Sequence, residues 1–369
     1  MTIALLTIIA AAAVAYANGA NDVSKGVGTL IGSRLASYAH GLRWGTLWTV
    51  LGANAALMLS TTMLKTFSTG LVSGALGHAA AFPLAVAIGA FVWVLIAVRT
   101  GLPVSTTHSI TGAIIGAAAA AGGTEGVRWT LVLKAVALPL AFSPIAAALI
   151  AYGLHAMISR RLAAASRYCL CARQNAVILP DPQAGGVTAA RALLLPIVVV
   201  DEHRACSDGA TVAGVRLTDG AHWLTSAALS FARGLNDTSK IVALAVGAAV
   251  VVGVNAPSMY VVGAIVMGAG SLLYGQRVTR TLAEHVTDID PLEGLAASAV
   301  AAGLVLAASA VALPVSTTHV ASGAIIGVGL RSGTRAIQWR TVRDMVAAWI
   351  VTLPASALAA ALAWVIFSR

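Results

Sequence analysis

The sequence predicts an all-α polytopic membrane protein built as an inverted internal repeat, with broken helices and two re-entrant hairpins, plus a small β-rich cytoplasmic insert. Three observations support this prediction: the composition is apolar, polar motifs occur twice in the same order, and one polar stretch separates the two copies. Hydrophobic residues make up 59% of the 369 residues and charged residues only 10%, whereas soluble domains average about 25% charged residues. The mean hydropathy of +0.88 agrees with a membrane protein.

The polar motifs of the first half recur in the second half at a nearly constant offset. GANDVSK at residues 19–25 matches GLNDTSK at 234–240, 215 residues later. PVSTTH at residues 103–108 recurs unchanged at 314–319, 211 residues later, and GAIIG follows each copy. A downstream tryptophan and proline recur at an offset of 210: Trp129, Pro144, Trp339 and Pro354. Ordered matches at one offset indicate an internal duplication.

The duplication divides the chain into a first membrane repeat (1–158), an insert (159–220) and a second membrane repeat (221–369). Several apolar runs approach or exceed the roughly 20 residues that a helix needs to cross a bilayer. These runs are residues 44–64, 129–154, 257–273, 292–313 and 345–367. The apolar start at 2–17 lacks the basic residues of a secretory signal and continues into the first motif, so we interpret it as a mature helix.

The formal net charge of +10 predicts orientation rather than a nucleic-acid partner, because short cytoplasmic loops collect Lys and Arg. The arginine-rich regions are residues 34–43, 160–216, 277–280 and 331–343. They share one side if 82–121 forms a re-entrant hairpin and each half crosses the membrane an odd number of times. The halves are then inverted, both termini lie outside the inner (plasma) membrane, and the central loop is cytoplasmic. Labels at Gly77 and Gly185 should react from opposite faces.

The insert is the one polar stretch between the repeats, and it contains short runs rich in β-branched residues. These runs are residues 176–179, 193–200 and 211–217, with Pro-Asp-Pro and Gly-Gly turns between them. The pattern predicts a small β-rich unit. All three cysteines lie here: Cys169, Cys171 and Cys206. A metal site or a redox pair is an alternative, but the spacing is not a standard zinc pattern, and we expect reduced structural thiols.

Each PVSTTH motif has the form of a helix start inside the membrane. Pro103 and Pro314 break the chain, while Ser105 and Ser316 are suited to cap the helices that follow. A helix in hydrocarbon is normally broken only where it lines a site, and its N-terminus offers free N–H groups and a positive dipole end to an anion. Two such ends predict a clamp for one tetrahedral oxyanion near the midplane. The alternative is that these residues only cap helices and pack.

The predicted anion-binding residues are Ser105, Thr106, Thr107, Ser316, Thr317 and Thr318. The paired Asn-Asp motifs predict a second helix interruption in each half, at Gly19 and Gly234. Their side chains offer hard oxygen ligands or a proton acceptor, and Asp is costly at membrane depth. The candidate coupling-ion or charge-site residues are Asn21, Asp22, Lys25, Asn236, Asp237 and Lys240. The alternative is a helix end followed by a surface loop. His108 and His319 either carry a proton or are buried neutral rings bonded to a carbonyl.

These motifs resemble those of the inorganic phosphate transporter family, secondary carriers that include phosphate and some sulfate permeases. The resemblance rests on both Asn-Asp motifs, both PVSTTH…GAIIG stretches, and residues 274–291, which contain Arg277 and Thr-Asp-Ile-Asp-Pro. It implies an inverted-repeat fold, commonly a homodimer, that moves an oxyanion with Na⁺ or H⁺. The Asn-Asp motifs would help to bind the coupling cation, and the Ser-Thr-Thr helix ends would bind the anion.

The chain departs from the family pattern at Lys25 and Lys240, where many members have Asn or another neutral residue. Each ammonium group either takes the place of a bound cation beside Asp22 or Asp237, or binds the anion directly. Alternatively, both lysines extend into a water-filled vestibule.

We therefore predict a secondary active transporter that carries inorganic phosphate by H⁺ or Na⁺ symport, with membrane lipids and a second copy as its other partners. Sulfate or another tetrahedral oxyanion is the alternative substrate. An anion channel is a weaker alternative, because broken helices aimed at one site favour occlusion over a continuous pore. Neither spaced metal ligands nor a nucleophile–base pair indicates an enzyme, and we expect no cofactor.

Overall fold

The computed structural model describes residues 1–73, 79–180, 190–202, 206 and 211–369. Among these residues, six helices are long and apolar enough to cross a membrane, or seven if one bent pair counts as a span. The first half contains α1 (Thr2–Gly32), α2 (Tyr38–Leu59), α3 (Thr61–Lys65, continued as a π-helix over Thr66–Gly70), α4 (Ala81–Thr100), α5 (Thr106–Gly122), α6 (Trp129–Leu131, continued as a π-helix over Val132–Ala137) and α7 (Leu138–Ala165). The second half contains α8 (Leu217–Ala243), α9 (Val246–Val251), α10 (Ala256–Tyr274), α11 (Gln276–Glu284), α12 (Pro291–Ala310), α13 (Thr317–Arg331) and α14 (Trp339–Phe367). The predicted helical membrane fold is confirmed.

Both PVSTTH motifs lie at helix breaks, as predicted. The first separates α4 from α5, and the second separates α12 from α13. The Ser105 hydroxyl accepts a hydrogen bond from the backbone N–H of His108, and the Ser316 hydroxyl accepts one from His319, both at 3.2 Å. These serines are therefore the N-caps of α5 and α13, and they satisfy one of the N–H groups that each helix start leaves free.

The predicted interruptions at the Asn-Asp motifs are wrong. Helices α1 and α8 run without a break through Gly19 and Gly234. A Cβ atom on Gly19 would lie 1.9 Å from the carbonyl oxygen of Met267 in α10, and one on Gly234 would lie 2.2 Å from that of Thr49 in α2. These glycines allow two helix backbones to touch, which is the usual role of small residues between membrane helices.

The predicted span over residues 44–64 is also wrong at its C-terminal end. Helix α2 ends at Leu59, and the chain bends by 81° before it continues as α3 and its π-helix. Met63 and Phe67, which follow the bend, are buried in the main apolar core. Their packing turns the chain inward rather than along the bilayer normal. The other four runs coincide with helices, although α12 ends at Ala310, before residue 313.

The two halves pack chiefly against each other. Helix α1 packs on α10, α2 on α8, α5 on α14, and α13 on α7. The last glycine of each GAIIG lies at such a crossing: a Cβ on Gly116 would be 2.0 Å from the Ala357 carbonyl oxygen, and one on Gly327 would be 2.2 Å from that of Ala148. The duplicated sequence thus forms duplicated crossings.

The insert contains the predicted β-structure, an antiparallel sheet in the order β2-β1-β3. Its strands are β1 (Tyr168–Pro180), β2 (Ala190–Glu202) and β3 (Thr211–Arg216). Cys171 and Cys206 form a disulfide, with Cα atoms 5.7 Å apart, a separation within normal disulfide reach. The expectation of reduced thiols is therefore wrong for these two residues, and buried Cys169 lies outside this bond.

The orientation of the repeats stays a prediction. Three parts of it depend on how the chain lies in a membrane: the odd number of crossings per half, the inversion of the halves and the cytoplasmic side of the insert. Gly77 and Gly185, the two positions for opposite-face labelling, lie outside the described residues.

Candidate functional site

The twelve residues singled out from the sequence lie on α1, on α8 and at the starts of α5 and α13. None of them exposes more than 2% of its surface. The Asn-Asp motifs are therefore buried inside helices rather than placed in a surface loop, and Lys25 and Lys240 do not extend into an open vestibule. Buried polar groups of this kind need partners, and most of the partners are other members of the same set.

The asparagine of each Asn-Asp motif binds the helix break of its own half. The Asn21 side-chain amide donates to the backbone carbonyl of Val104 at 2.8 Å, and the Asn236 amide donates to that of Val315 at 3.2 Å. Each valine directly precedes the serine that caps the next helix. The duplicated motifs therefore form equivalent links between an unbroken helix and a broken one.

Threonines from each helix start reach the break of the other half. The Thr318 hydroxyl donates to the carbonyl of Val104 at 2.8 Å, and the Thr107 hydroxyl donates to that of Val315 at 3.5 Å. The Thr107 oxygen also accepts a 2.7 Å hydrogen bond from the Lys240 ammonium group. These contacts join the two Ser-Thr-Thr helix starts into one cluster.

Each lysine contacts the aspartate three residues before it. The Lys25 ammonium nitrogen lies 2.6 Å from Asp22 Oδ1, and the Lys240 nitrogen lies 3.4 Å from Asp237 Oδ1. Both pairs are buried, where two charges are stable only if they face each other and their remaining hydrogen bonds are satisfied. The ring of Phe67 covers Lys240, with its centroid 5.9 Å from the ammonium nitrogen, which is within the range of a cation–π interaction.

Asn18 joins the two halves of the cluster, and sequence analysis missed it. Its amide nitrogen lies 2.8 Å from Asp22 Oδ2, 3.2 Å from Asp237 Oδ2 and 3.0 Å from the Thr106 hydroxyl oxygen. Two N–H groups are thus shared among three acceptors, two of which are carboxylates from different repeats.

Arg233 is the second residue that sequence analysis missed. Its side chain is fully buried. One terminal nitrogen donates to the Thr49 hydroxyl at 3.0 Å, and the other donates to the Asn18 side-chain oxygen at 3.3 Å. Asn18 and Arg233 stand directly before the glycines of the two Asn-Asp motifs, 215 residues apart. Extending the repeat alignment by one residue would have found both of them.

The two histidines face each other beside this cluster. Their ring centroids are 4.6 Å apart, and His319 Nδ1 lies 2.9 Å from the carbonyl oxygen of Leu140. Of the two interpretations given for the histidines, His319 therefore fits the buried ring that is hydrogen-bonded to a carbonyl. Both rings line a cavity of about 570 Å³ between α5, α7 and α14.

The cluster combines groups that suit an anion with groups that suit a cation or a proton. Two helix starts provide hydroxyl groups and the positive ends of helix dipoles, which favour an oxyanion. Asp22 and Asp237 provide acceptors for a proton or a cation. A polytopic helical chain whose polar groups gather in the apolar interior between two interlocked repeats has the architecture of a membrane transporter.

Comparison with known proteins identifies the group of transporters. The model of the phosphate transporter family matches residues 4–360, so the chain belongs to this family, as its motifs had indicated. It is a family of transporters and not of enzymes.

Individual relatives cover nearly the whole chain. A Pyrococcus furiosus protein named a phosphate permease is 28% identical over 97% of this chain and 94% of its own length. The chloroplastic inorganic phosphate transporter 2-1 of Arabidopsis thaliana is 27% identical over 95% of this chain and 70% of its own length. A solved structure named the sodium-dependent phosphate transporter matches with a TM-score of 0.79 at 24% identity, covering 100% of this chain and 99% of that one. This match shows that the two proteins share a fold.

Proposed function

We propose that this chain is a secondary active transporter that carries inorganic phosphate across the inner (plasma) membrane by symport with protons. The observation that carries the proposal is the meeting of two capped Ser-Thr-Thr helix starts with two carboxylates in one buried cluster. Family membership supports phosphate as the substrate, since relatives from archaea and plants are named phosphate permeases or transporters.

In this proposal the anion binds between the starts of α5 and α13. Thr106, Thr107, Thr317 and Thr318 lie in the first turns of these helices, next to backbone N–H groups that have no partner within the helix. Backbone N–H groups from both helix starts, together with threonine hydroxyls that turn away from their present acceptors, can surround the oxygens of a tetrahedral anion there without a full positive charge in contact with it. Sulfate has the same shape, so it is the alternative substrate that an uptake assay must include.

We propose that the lysines replace a bound alkali cation. The solved relative is named sodium-dependent, but in this chain the Lys25 ammonium lies 2.6 Å from Asp22 Oδ1, where a cation bound to that carboxylate would lie. Lys240 lies near Asp237 in the same way. An ammonium group is a compact point charge, and it leaves little room for Na⁺ beside the same oxygen. In this proposal, protons rather than Na⁺ are the ions cotransported with phosphate.

Uptake into proteoliposomes tests the proposal. Labelled phosphate and labelled sulfate are offered separately, each with an imposed Na⁺ gradient at equal pH and with an imposed pH gradient in Na⁺-free buffer. We expect saturable phosphate uptake and counterflow, stimulation by the pH gradient and little response to Na⁺. Sulfate uptake at the same rate as phosphate uptake would contradict phosphate as the preferred substrate. Steep Na⁺ dependence of uptake at fixed pH would contradict coupling to protons. We further propose a homodimer with a cytoplasmic insert. The arginine-rich loops support this side for the insert, whereas a disulfide such as Cys171–Cys206 is uncommon in that compartment.

A further inference from the structure

Arg233 is a buried cation whose visible partners are neutral. Its two terminal nitrogens donate to the hydroxyl of Thr49 and the amide oxygen of Asn18, and its Nε atom has no hydrogen-bond partner among the described residues. Within the part of the chain that the structure describes, no carboxylate forms a salt bridge with the guanidinium group. A guanidinium group stays charged in proteins, and burying a charge without a counter-charge is costly.

The central cluster therefore has an excess of positive charge. Asp22 faces Lys25, and Asp237 faces Lys240, so each pair is neutral when both groups are ionised. Arg233 adds one further positive charge. The first repeat has Asn18, a neutral residue, at the matching position. The charge excess is thus a property of the second repeat alone.

Asn18 connects this charge to the helix start. Its oxygen accepts from Arg233, while its nitrogen donates to the Thr106 hydroxyl at 3.0 Å and to both carboxylates. A cation on the oxygen of an amide strengthens the donors on its nitrogen. Arg233 can therefore act on an anion at the α5 start through Asn18, without touching it.

We propose that Arg233 is a built-in cation that compensates the charge of the transported oxyanion, so that the loaded carrier needs one fewer bound cation than a neutral residue at this position would require. Arg233 acts through Asn18 rather than by contact with the anion, and it sets how many positive charges enter with each phosphate. This inference rests on the proposed phosphate transport and concerns the charge balance of the same site.

The test measures the charge that accompanies each phosphate in proteoliposomes. Uptake is recorded at defined membrane potentials set by K⁺ gradients with valinomycin, with and without Na⁺. Arg233→Gln should admit one more positive charge per phosphate, so an inside-negative potential and added Na⁺ should stimulate it more than the parent. Its half-saturation concentration for phosphate should rise about tenfold, because the anion loses the attraction of a nearby buried charge. Arg233→Lys should keep the parental charge per phosphate, at a reduced rate.

Two further variants separate charge from folding. Arg343→Gln removes an exposed arginine that pairs with Asp344 at the surface, and it should leave all these properties unchanged. Arg233→Met removes the charge but keeps a long side chain that suits a buried position, and it should admit one more positive charge per phosphate, as Arg233→Gln should. If Arg233→Gln does not fold, Arg233→Met decides, and a parental charge per phosphate with a parental Na⁺ response in that variant overturns the inference.

The outcomes also separate this inference from the function on which it rests. A parent protein that takes up no phosphate contradicts the proposed function itself. An active parent, together with an Arg233→Gln variant that has the parental affinity, charge per phosphate and Na⁺ response, contradicts only the role of Arg233 and leaves it as a structural residue.

Discussion

Lys25 and Lys240 occupy equivalent positions in the two repeats, but their ammonium groups are bound differently. Lys25 bonds within its own helix, to Asp22 at 2.6 Å and to the Asn21 carbonyl at 2.8 Å. Lys240 lies farther from its aspartate, at 3.4 Å, and reaches the other elements of the site through Thr107 and the break before α13. One lysine belongs to a local ion pair, whereas the other is shared across the cluster.

This difference shows which properties a duplication preserves. The backbone links match between the repeats, as the bonds of Asn21 and Asn236 to the helix breaks show. The electrostatic environment does not match, because Lys240 is shared across the cluster and the second repeat also has Arg233. Two copies of one motif thus form one scaffold with unequal electrostatic roles.

The largest difference between the repeats should appear when each lysine is replaced by asparagine. Lys25→Asn leaves the Asp22 carboxylate without its close partner, and breaking a buried ion pair costs about 3–5 kcal/mol. Lys240→Asn should cost less stability, because its ammonium group lies farther from the carboxylate, at 3.4 Å rather than 2.6 Å, but it should slow phosphate uptake more. Chemical unfolding in detergent measures the first quantity, and proteoliposome uptake the second.

Added Na⁺ should partly restore both variants if the lysines replace a cation, since the ion can enter the vacated place. Lys134→Asn changes a lysine that is exposed on the surface of the protein and is the matched control. Mild effects of both buried substitutions, with no gain of Na⁺ dependence, would show that the ammonium groups are not acting as bound cations.

Where the repeats are alike, matched substitutions should have equal effects. Gly116→Ala and Gly327→Ala each place a Cβ atom within 2.2 Å of a carbonyl oxygen on the facing helix, so the helices must move apart. We expect each to destabilise the protein by about 1–3 kcal/mol, as overpacked cores do. Gly153→Ala is the control, since its Cβ meets nothing within 4 Å. Thermal unfolding of the three variants measures the loss of stability. Unequal losses for Gly116→Ala and Gly327→Ala would contradict the equivalence of the two helix crossings.

Sequence reasoning predicted the helix starts correctly but not the course of the unbroken helices. A proline followed by Ser-Thr-Thr restricts the local backbone and supplies a cap, so Ser105 and Ser316 could be placed from local chemistry alone. A glycine such as Gly19 or Gly234 can either interrupt a helix or allow a neighbouring helix to pack closely. Which of the two occurs depends on the facing helix, which the local sequence does not show. The bend after Leu59 similarly depends on where Met63 and Phe67 find apolar partners.

The site residues that are identical in the two repeats were predicted from the sequence, and those that differ between the repeats were missed. Motif matching selects identical residues, so it found Asp22 and Asp237 but passed over Asn18 and Arg233. The partners of Lys240 were also out of reach, because they depend on how the two halves interlock.

Hydroxyl groups at the two helix starts should make smaller and unequal contributions. Changing any of the six Ser and Thr residues to Ala should weaken phosphate binding, each by on the order of 1 kcal/mol. The effect of Thr106→Ala should exceed that of Thr317→Ala, because removing the Thr106 hydroxyl also breaks its hydrogen bonds with Asp22 and Asn18 at this helix start. Half-saturation concentrations for uptake provide the measurement. If all six variants bind phosphate like the parent, the anion lies elsewhere.

Inversion of the repeats can be tested by a substitution that should hardly change stability. Thr124 and Thr334 are exposed residues 210 positions apart, and the carbonyl of each accepts the indole N–H of the tryptophan five residues later, at 2.9 Å and 3.0 Å. They mark the same loop in the two halves. Single cysteines at these positions, in a chain without its three native cysteines, should react with an impermeant thiol reagent from opposite faces of the membrane.

The expectation follows from an odd number of crossings per half, and it agrees with the labelling predicted for Gly77 and Gly185. Phosphate uptake by the cysteine-free parent is the control, because removing Cys171 and Cys206 also removes their disulfide. Reaction of both cysteines from the same face would mean that the halves run parallel. The two Ser-Thr-Thr helix starts would then enter from one side of the membrane, and two dipoles that converge on one anion from opposite sides would be excluded.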